Sequence, residues 1–442
     1  MDAAAFFFAF KVSFLDGVPL AKIGAMDKMM VEGGLRLKGE AEIGGSKNAT
    51  LPIMVAALLG KSPSLVRGTP RLRDVDTMIK VLQTLGAAAS QDGSELRVDP
   101  KGLNKFEAPY DLVRTMRASI YVMGPLLALL GRARVSLPGG CAIGQRPIDL
   151  HLKGFEALGA KIVLKHGYIE ASAKKLKGAR IIFDKPSVGA TANVMMAAVL
   201  AQGTTSLHNP AQEPEIVDLG GYLKRMGAHI RGEGTDCIEI QGVSSLSGCD
   251  YEVIPDRIEA ATLLIAAAIT GGSVSLRHGR LGDLGIVAEK LREHGLELVE
   301  TGRGLRGVMG RTRKPVHITT MPHPGFPTDM QAQWMALMAL TPGTTVVTET
   351  IWENRFMHVS ELDRMGADIK IHGTSAVVSG VKRLSGAPVM ASDLRASAAL
   401  ILAGLAAKGK TEISRIYHLD RGYERLETKL TALGARITRQ SE

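Results

Sequence analysis

Internal repetition constrains this chain more than any other feature. A glycine closes a long apolar run ahead of a β-rich stretch at Gly60, Gly131, Gly203, Gly272, Gly343 and Gly409. A second glycine ends an "LGA"-like helical segment at Gly86, Gly159, Gly227, Gly295, Gly366 and Gly434. Within each series the spacing is roughly 70 residues, which is too long for a short solenoid repeat and suits one two-layer supersecondary unit used six times.

Each unit reads as strand, helix, strand, helix and two strands. In the third, "KGARIIFDK" is strand-like and "SVGATANVMMAAVLAQG" is a helix apolar nearly all round. Such a helix belongs between sheets. "EPEIVDLGGYLKRMGAHIRG" is amphipathic, and with Lys224 and Arg225 it is expected to be the exposed helix. "CIEIQGV" closes the unit with period-2 alternation. Alternation of this kind argues for α/β layering. Six units divide as three plus three, with the boundary near Gly248 to Pro255. The run from Met29 to Ser46 holds two more strand-like stretches that could complete the C-terminal half. The expected domains are residues 47–254, carrying a loop with Cys141, and a discontinuous domain of 26–46 plus 255–442. Residues 1–25 precede a second start-like "MDKMM" and read as an N-terminal extension, expected to be poorly ordered.

About 14 residues before each glycine of the first series stand Lys47, Arg117, Ser187 to Gly189, Arg257, Asp329 and Arg395. Each lies at or near the start of an apolar helix. If the units are arranged alike, six helix N-termini face one place. Their free N–H groups and positive dipole ends favour anions. The repeat therefore predicts a cleft for a strongly anionic ligand.

The formal charge of +10 over 442 residues could also mean nucleic acid or a membrane surface. However, the Lys and Arg residues are spread thinly and aromatics are 4%, unlike a nucleic-acid face, so no nucleic-acid partner is expected. The apolar helices are shorter than the ~20 residues a membrane span needs, so no insertion is expected. Cys141, Cys237 and Cys249 form neither a disulfide frame nor a zinc spacing, which fits a reducing cytoplasm. Nothing bears on oligomeric state.

Local motifs sharpen the picture. "SLPGGCAIGQRPIDLH" places Cys141 on a Gly-rich loop beside Arg146, with Pro147 at the expected first position of the next helix. A thiol beside a cation and a helix N-terminus is placed for reactivity, although a plain loop cysteine would look the same. "GGSKNATLP" sets Lys47 and Asn48 at a Gly-to-helix junction suited to phosphate, without Walker A spacing. "RTMRAS" and "SDLRAS" put Arg117 and Arg395 in matching slots. Asp329, in "FPTDMQAQW", is an acid where other slots are mainly basic. It is a candidate general base, with a helix N-cap as the plain alternative. Arg355 and Arg421 fall near the cleft mouth. There is no metal-ligand cluster and no Gly-x-Gly-x-x-Gly loop, so neither metal nor cofactor is expected. Cations for a phosphate and a carboxylate, with one acid and one base, suit group transfer from a phosphorylated carboxylic acid.

Taken in order, "GGSKNATLP", "YDLVRTMRAS", "LPGGCAIGQRPIDLH", "DKPSVGAT", "PHPGFPTDMQAQ", "TETIWENRFMH", "DLRASAAL" and "IYHLDRGYER" closely resemble the UDP-N-acetylglucosamine 1-carboxyvinyltransferases. These are the enolpyruvyl transferases of the first committed step of bacterial peptidoglycan synthesis. The resemblance runs from about Met26 to the C-terminus. It implies an α/β fold of two inside-out α/β barrel domains, each of three βαβαββ repeats. It also implies transfer of the enolpyruvyl group of phosphoenolpyruvate to the 3-hydroxyl of UDP-N-acetylglucosamine, through a tetrahedral intermediate, with release of phosphate. By that resemblance Cys141 would protonate the methylene carbon and could attach covalently to phosphoenolpyruvate, while Asp329 would take the hydroxyl proton; the Cys141 loop also predicts that fosfomycin alkylates this thiol. Lys47, Asn48, Arg146 and Arg421 would hold the phosphate, and Arg355 and Arg395 would lie at the carboxylate. Arg117, Arg146, Pro147, Ile148, Asp149, Leu150, Lys185, Pro186, Ser187, Val188, Asp329 and Ile351 would contact the sugar nucleotide. Trp352 departs from the residues usual beside Ile351.

Other readings remain. The sister enzyme making 5-enolpyruvylshikimate 3-phosphate shares the chemistry but lacks the cysteine-loop motif. A nucleic-acid end-processing enzyme would need an adenylation nucleophile that is not seen. A silent sugar-nucleotide-binding paralogue is disfavoured by intact Cys141, Asp329 and Lys47. A thiol hydrolase built on Cys141 and His151 has no accompanying oxyanion motif.

Overall fold

The computed structural model describes residues 27–114, 116–137 and 148–441. Cys141, Arg146, Pro147 and the 1–25 segment lie outside the described residues. The described strands form six four-stranded sheets of one design. In the third unit, strand Arg180–Ile182 leads to helix Val188–Ala198, strand Thr204–His208, helix Pro214–Arg225, and strands His229–Arg231 and Cys237–Gln241. The first two strands are parallel, with Ile181 opposite Leu207. The other pairings are antiparallel, with Leu207 opposite Ile238. Alternate residues such as Thr205 and Leu207 are buried against the helices, leaving the other face to solvent.

All six glycines of the second series have φ between 91° and 117°. They follow the outer helices at the position where a left-handed residue satisfies the last carbonyls, a conformation that glycine adopts without a Cβ clash. That need produces the repeat seen in the sequence. The first series is less uniform. Gly131, Gly203, Gly343 and Gly409 are left-handed, but in the fourth unit the left-handed cap is Gly271, and Gly60 is extended.

The buried apolar residues fall into two clusters. One holds residues between Ala49 and Val253; the other joins Met29–Ile43 to residues between Ile258 and Ile437. Strand exchange explains the second. Lys28–Glu32 pairs with Lys410–Ser414 and Arg436–Gln440, and Lys38–Glu42 pairs with Ser273–Arg277. In return, Asp250–Glu252 pairs with Ser64–Arg67 in the first unit's sheet. The inner helices, apolar on all sides, lie inside while the sheets lie outside. Helix Arg257–Thr270 is buried from Arg257 through Ile269.

Helix Pro214–Arg225 exposes Lys224 and Arg225 as its pattern suggests, but it also buries Glu215 and Asp218. It is not simply a solvent-facing helix, because its first turns meet the junction of the halves. Glu215 receives Arg257 Nε at 3.0 Å and Nη2 at 3.2 Å, a two-point pair that is nearly dry. The Tyr251 hydroxyl donates to Asp218 Oδ1 at 2.7 Å and the Ile254 N–H to Oδ2 at 3.3 Å. Burial pushes the Asp218 carboxyl up to about 6 despite those donors. The folded chain therefore holds a proton there that the unfolded chain, titrating near ~4, has already lost. Stability from this group is present at low pH and is lost as pH rises through about 6. Asp218→Asn is expected to remove up to about 3 kcal/mol of pH-dependent stability between pH ~4 and ~7, measured as a flattened melting-temperature profile. No described helix is long and apolar enough to cross a membrane.

Candidate active site

The first inner helix, Lys47–Ala56, is capped by Ser46, whose hydroxyl accepts from the Ala49 N–H at 3.4 Å. The Lys47 N–H donates to Asp256 Oδ2 at 3.4 Å, and Asp256 itself caps the fourth inner helix through Ile258 and Glu259. Two helix starts, one from each half, are thereby fixed beside each other. Two ion clusters are built on this junction.

In the first, Asp74 takes Lys47 Nζ at 2.9 Å and Arg421 Nε at 2.9 Å. Asp74 stands in the first turn of helix Arg73–Thr84, while Arg421 ends the short 3-10 helix Ile416–Arg421 of the other half. Burial would raise the Asp74 carboxyl, but Lys47 and Arg421 together hold it below the usual carboxylate range.

In the second, Asp329 Oδ1 takes Arg355 Nη2 at 3.1 Å and Oδ2 takes Arg395 Nη2 at 2.7 Å. Asn48 Nδ2 approaches Oδ2 at 3.4 Å, so adjacent residues Lys47 and Asn48 touch the two clusters. The arginine side chains are 4% and 5% exposed and that of Asp329 is 31% exposed, so the carboxylate is the outward member. Burial opposes ionisation of Asp329, but Arg395, Arg355 and Lys47 hold it far below its ordinary value. Each cluster carries one more positive than negative charge, as a site for an anion requires. In this arrangement Asp329 is ionised but a weak base. It gains basicity only when another anion draws the guanidiniums away.

The remaining candidates lie on the first half. Ser187 caps the third inner helix through the Ala190 N–H at 3.3 Å, with Lys185 exposed and Pro186 and Val188 partly covered beside it. Helix Asp149–Ala157 has Ile148 at its cap and Leu150 buried. Arg117 opens the 3-10 helix Arg117–Val122. His151, buried in the same region, has Nδ1 3.1 Å from Asn193 Nδ2, which also donates to Ile120 O at 2.9 Å. Burial and the Arg117 charge push His151 down to about 3. Such an imidazole is a weak base.

Arg257 occupies the repeat's charged slot yet is committed to Glu215, so that slot is structural in the fourth unit. Several residues escape the sequence reading. Asp74 looks like an ordinary acid in a helix's first turn. Glu349 is buried and accepts from Thr320, Thr328, Ile351 and Trp352, holding the Ile351 segment beside Asp329. Its only sequence signal is an acid flanked by two threonines. Among the described residues no group of three or more His, Cys, Asp or Glu could hold a metal.

Comparisons with known proteins agree on one family. The profile for EPSP synthase (3-phosphoshikimate 1-carboxyvinyltransferase) matches residues 31–430. The UDP-N-acetylglucosamine 1-carboxyvinyltransferase of Trichlorobacter lovleyi is 58% identical over 418 residues, 94% of this chain and 100% of that protein. The protein of the same name from Myxococcus xanthus is 57% identical over 418 residues, with the same coverage of both chains. Among solved structures, the enolpyruvyl transferase NikO from Streptomyces tendae superposes with TM-score 0.84 at 26% identity, covering 95% of this chain and 100% of NikO. EPSP synthase from Acinetobacter baumannii superposes with TM-score 0.74 at 21% identity, covering 94% and 100%, and shares the fold.

Proposed function

Since this chain belongs to the EPSP synthase family of enolpyruvyl transferases, we propose that it transfers the enolpyruvyl group of phosphoenolpyruvate to the 3-hydroxyl of UDP-N-acetylglucosamine, releasing phosphate. The observation that carries this reading is the pair of adjoining cation clusters, Lys47–Arg421 and Arg355–Arg395, each neutralised in part by one internal carboxylate. A substrate with a phosphate at one end and a carboxylate at the other matches both.

The proposed steps run in the following order. The substrate phosphate takes Lys47 and Arg421 in competition with Asp74. Its carboxylate takes Arg355 and Arg395 and so withdraws them from Asp329. Asp329, until then held ionised and non-basic, recovers the basicity to accept the 3-hydroxyl proton. The oxygen adds to C2 as C3 is protonated, the cations stabilise the tetrahedral intermediate, and departure of phosphate together with one proton from the C3 methyl restores the vinyl group. Cys141, with Arg146 beside it in sequence, is the proposed proton donor to C3. Residues 148–150, 185–188, Arg117 and Ile351 form the proposed sugar-nucleotide side. The two halves, 47–254 and 26–46 plus 255–442, act as domains that close on the substrates and exclude water. The proposed setting is the cytoplasm, at the first committed step of peptidoglycan synthesis, and hence cell-wall growth and division.

The test is phosphate release from phosphoenolpyruvate by the purified protein. Release that requires UDP-N-acetylglucosamine is expected; none in its presence would contradict the reading. For the thiol, fosfomycin in the presence of the sugar nucleotide is expected to leave one covalent adduct on Cys141 by peptide mass spectrometry. An unmodified Cys141 peptide would remove it from the proposed role. Cys141→Asp is expected to keep part of the activity and escape the inhibitor, because a carboxylic acid can also donate the proton.

A further inference from the structure

A buried polar network in the C-terminal half converges on one hydroxyl. Tyr423 is 2% exposed and lies two residues past Arg421. Its Oη is 2.9 Å from Thr262 Oγ1 and 3.1 Å from Gln333 Nε2. Thr262 donates its single hydroxyl proton to Ile258 O at 2.8 Å, so toward Tyr423 it accepts and Tyr423 donates. Gln333 Nε2 donates one hydrogen to Tyr423 and the other to the Asp329 carbonyl at 2.9 Å. The hydroxyl is donor and acceptor at once, which fixes its orientation.

Three inner helices meet here. Thr262 is on Arg257–Thr270, Gln333 on Gln331–Met338 and Arg395 on Leu394–Ala406. The Arg395 guanidinium lies over the Tyr423 ring, its Cζ 5.4 Å from the centroid. Arg395 Nε is buried and has no hydrogen-bond partner among the described residues. The guanidinium is therefore held at its tip by Asp329 and across its face by this ring. Through Gln333 the same tyrosine reaches the backbone of Asp329, so both members of the ion pair depend on it.

We propose that Tyr423 is a positioning residue for the transfer: it fixes Arg395 relative to Asp329, and so shapes the site for the carboxylate of the three-carbon substrate. This rests on the functional reading above. When a ligand carboxylate draws Arg395 from Asp329, the ring and its anchored hydroxyl keep the guanidinium from swinging out of register. The effect is expected chiefly on the three-carbon substrate, because the charged group that the ring covers is the Arg395 guanidinium.

Tyr423→Phe keeps the ring and removes the hydroxyl. The KM for phosphoenolpyruvate is expected to rise about tenfold, with kcat within about twofold and the KM for UDP-N-acetylglucosamine unchanged. Thr262→Val removes the hydroxyl's acceptor and is expected to give the same split, and it carries the test if Tyr423→Phe does not fold. The double variant is expected to resemble either single one, since both break one link. An unchanged KM for phosphoenolpyruvate, or equal increases in both KM values, would overturn the proposal while leaving the transferase reading intact. An unsubstituted protein that releases no phosphate with both substrates present would overturn both.

Discussion

Asp329→Asn is expected to lower sugar-nucleotide-dependent phosphate release by roughly a thousandfold, the scale of a general base removed from a reaction that needs one. The substitution is isosteric. Its amide oxygen can still accept one N–H from Arg355 or Arg395, which now meet Oδ1 and Oδ2 at 3.1 and 2.7 Å. What it loses is the charge that competes with the substrate carboxylate for those arginines. The KM for phosphoenolpyruvate is therefore expected to stay level or fall while kcat collapses, a split that separates loss of the base from loss of binding. Steady-state kinetics with a melting curve as the folding control would check it. A variant within tenfold of the parent would show that the proton goes elsewhere.

The largest expected effect on stability lies away from the chemistry. Glu215→Ala would leave Arg257 buried without its two-point partner, at the place where the halves meet. Removing one member of a buried pair costs about 3–5 kcal/mol, because the remaining charge cannot reach water. The urea midpoint is expected to fall accordingly. Replacing both residues, Glu215→Leu with Arg257→Met, is expected to cost much less, since no charge is then stranded. Equal losses in the single and double variants would mean that packing, and not the unpaired charge, sets the cost.

The sequence exposed what local rules dictate. The second glycine series was legible because a left-handed helix end admits few other residues, and all six positions carry that conformation. Lys47, Asp329 and Arg395 stood out because the repeat places them in one slot. The same logic could not separate Arg395 from Arg257. Both open a buried helix, and only the partner, Asp329 or Glu215, tells them apart. Asp74 was invisible for a related reason. Its partner Arg421 is 347 residues away, and an acid in a helix's first turn already has a local explanation. Tyr423 lay inside a quoted motif, yet its role depends on Thr262, Gln333 and Arg395, three residues from three units.

The central claim is transfer, not phosphate loss, and proton NMR of the reaction products tests it most directly. Purified protein with phosphoenolpyruvate and UDP-N-acetylglucosamine is expected to yield a sugar nucleotide bearing two vinyl protons and a shifted 3-position, in amounts matching the phosphate released. Phosphate appearing with free pyruvate and an unchanged sugar nucleotide would contradict the account, because Asp329 and the two cation clusters would then serve hydrolysis.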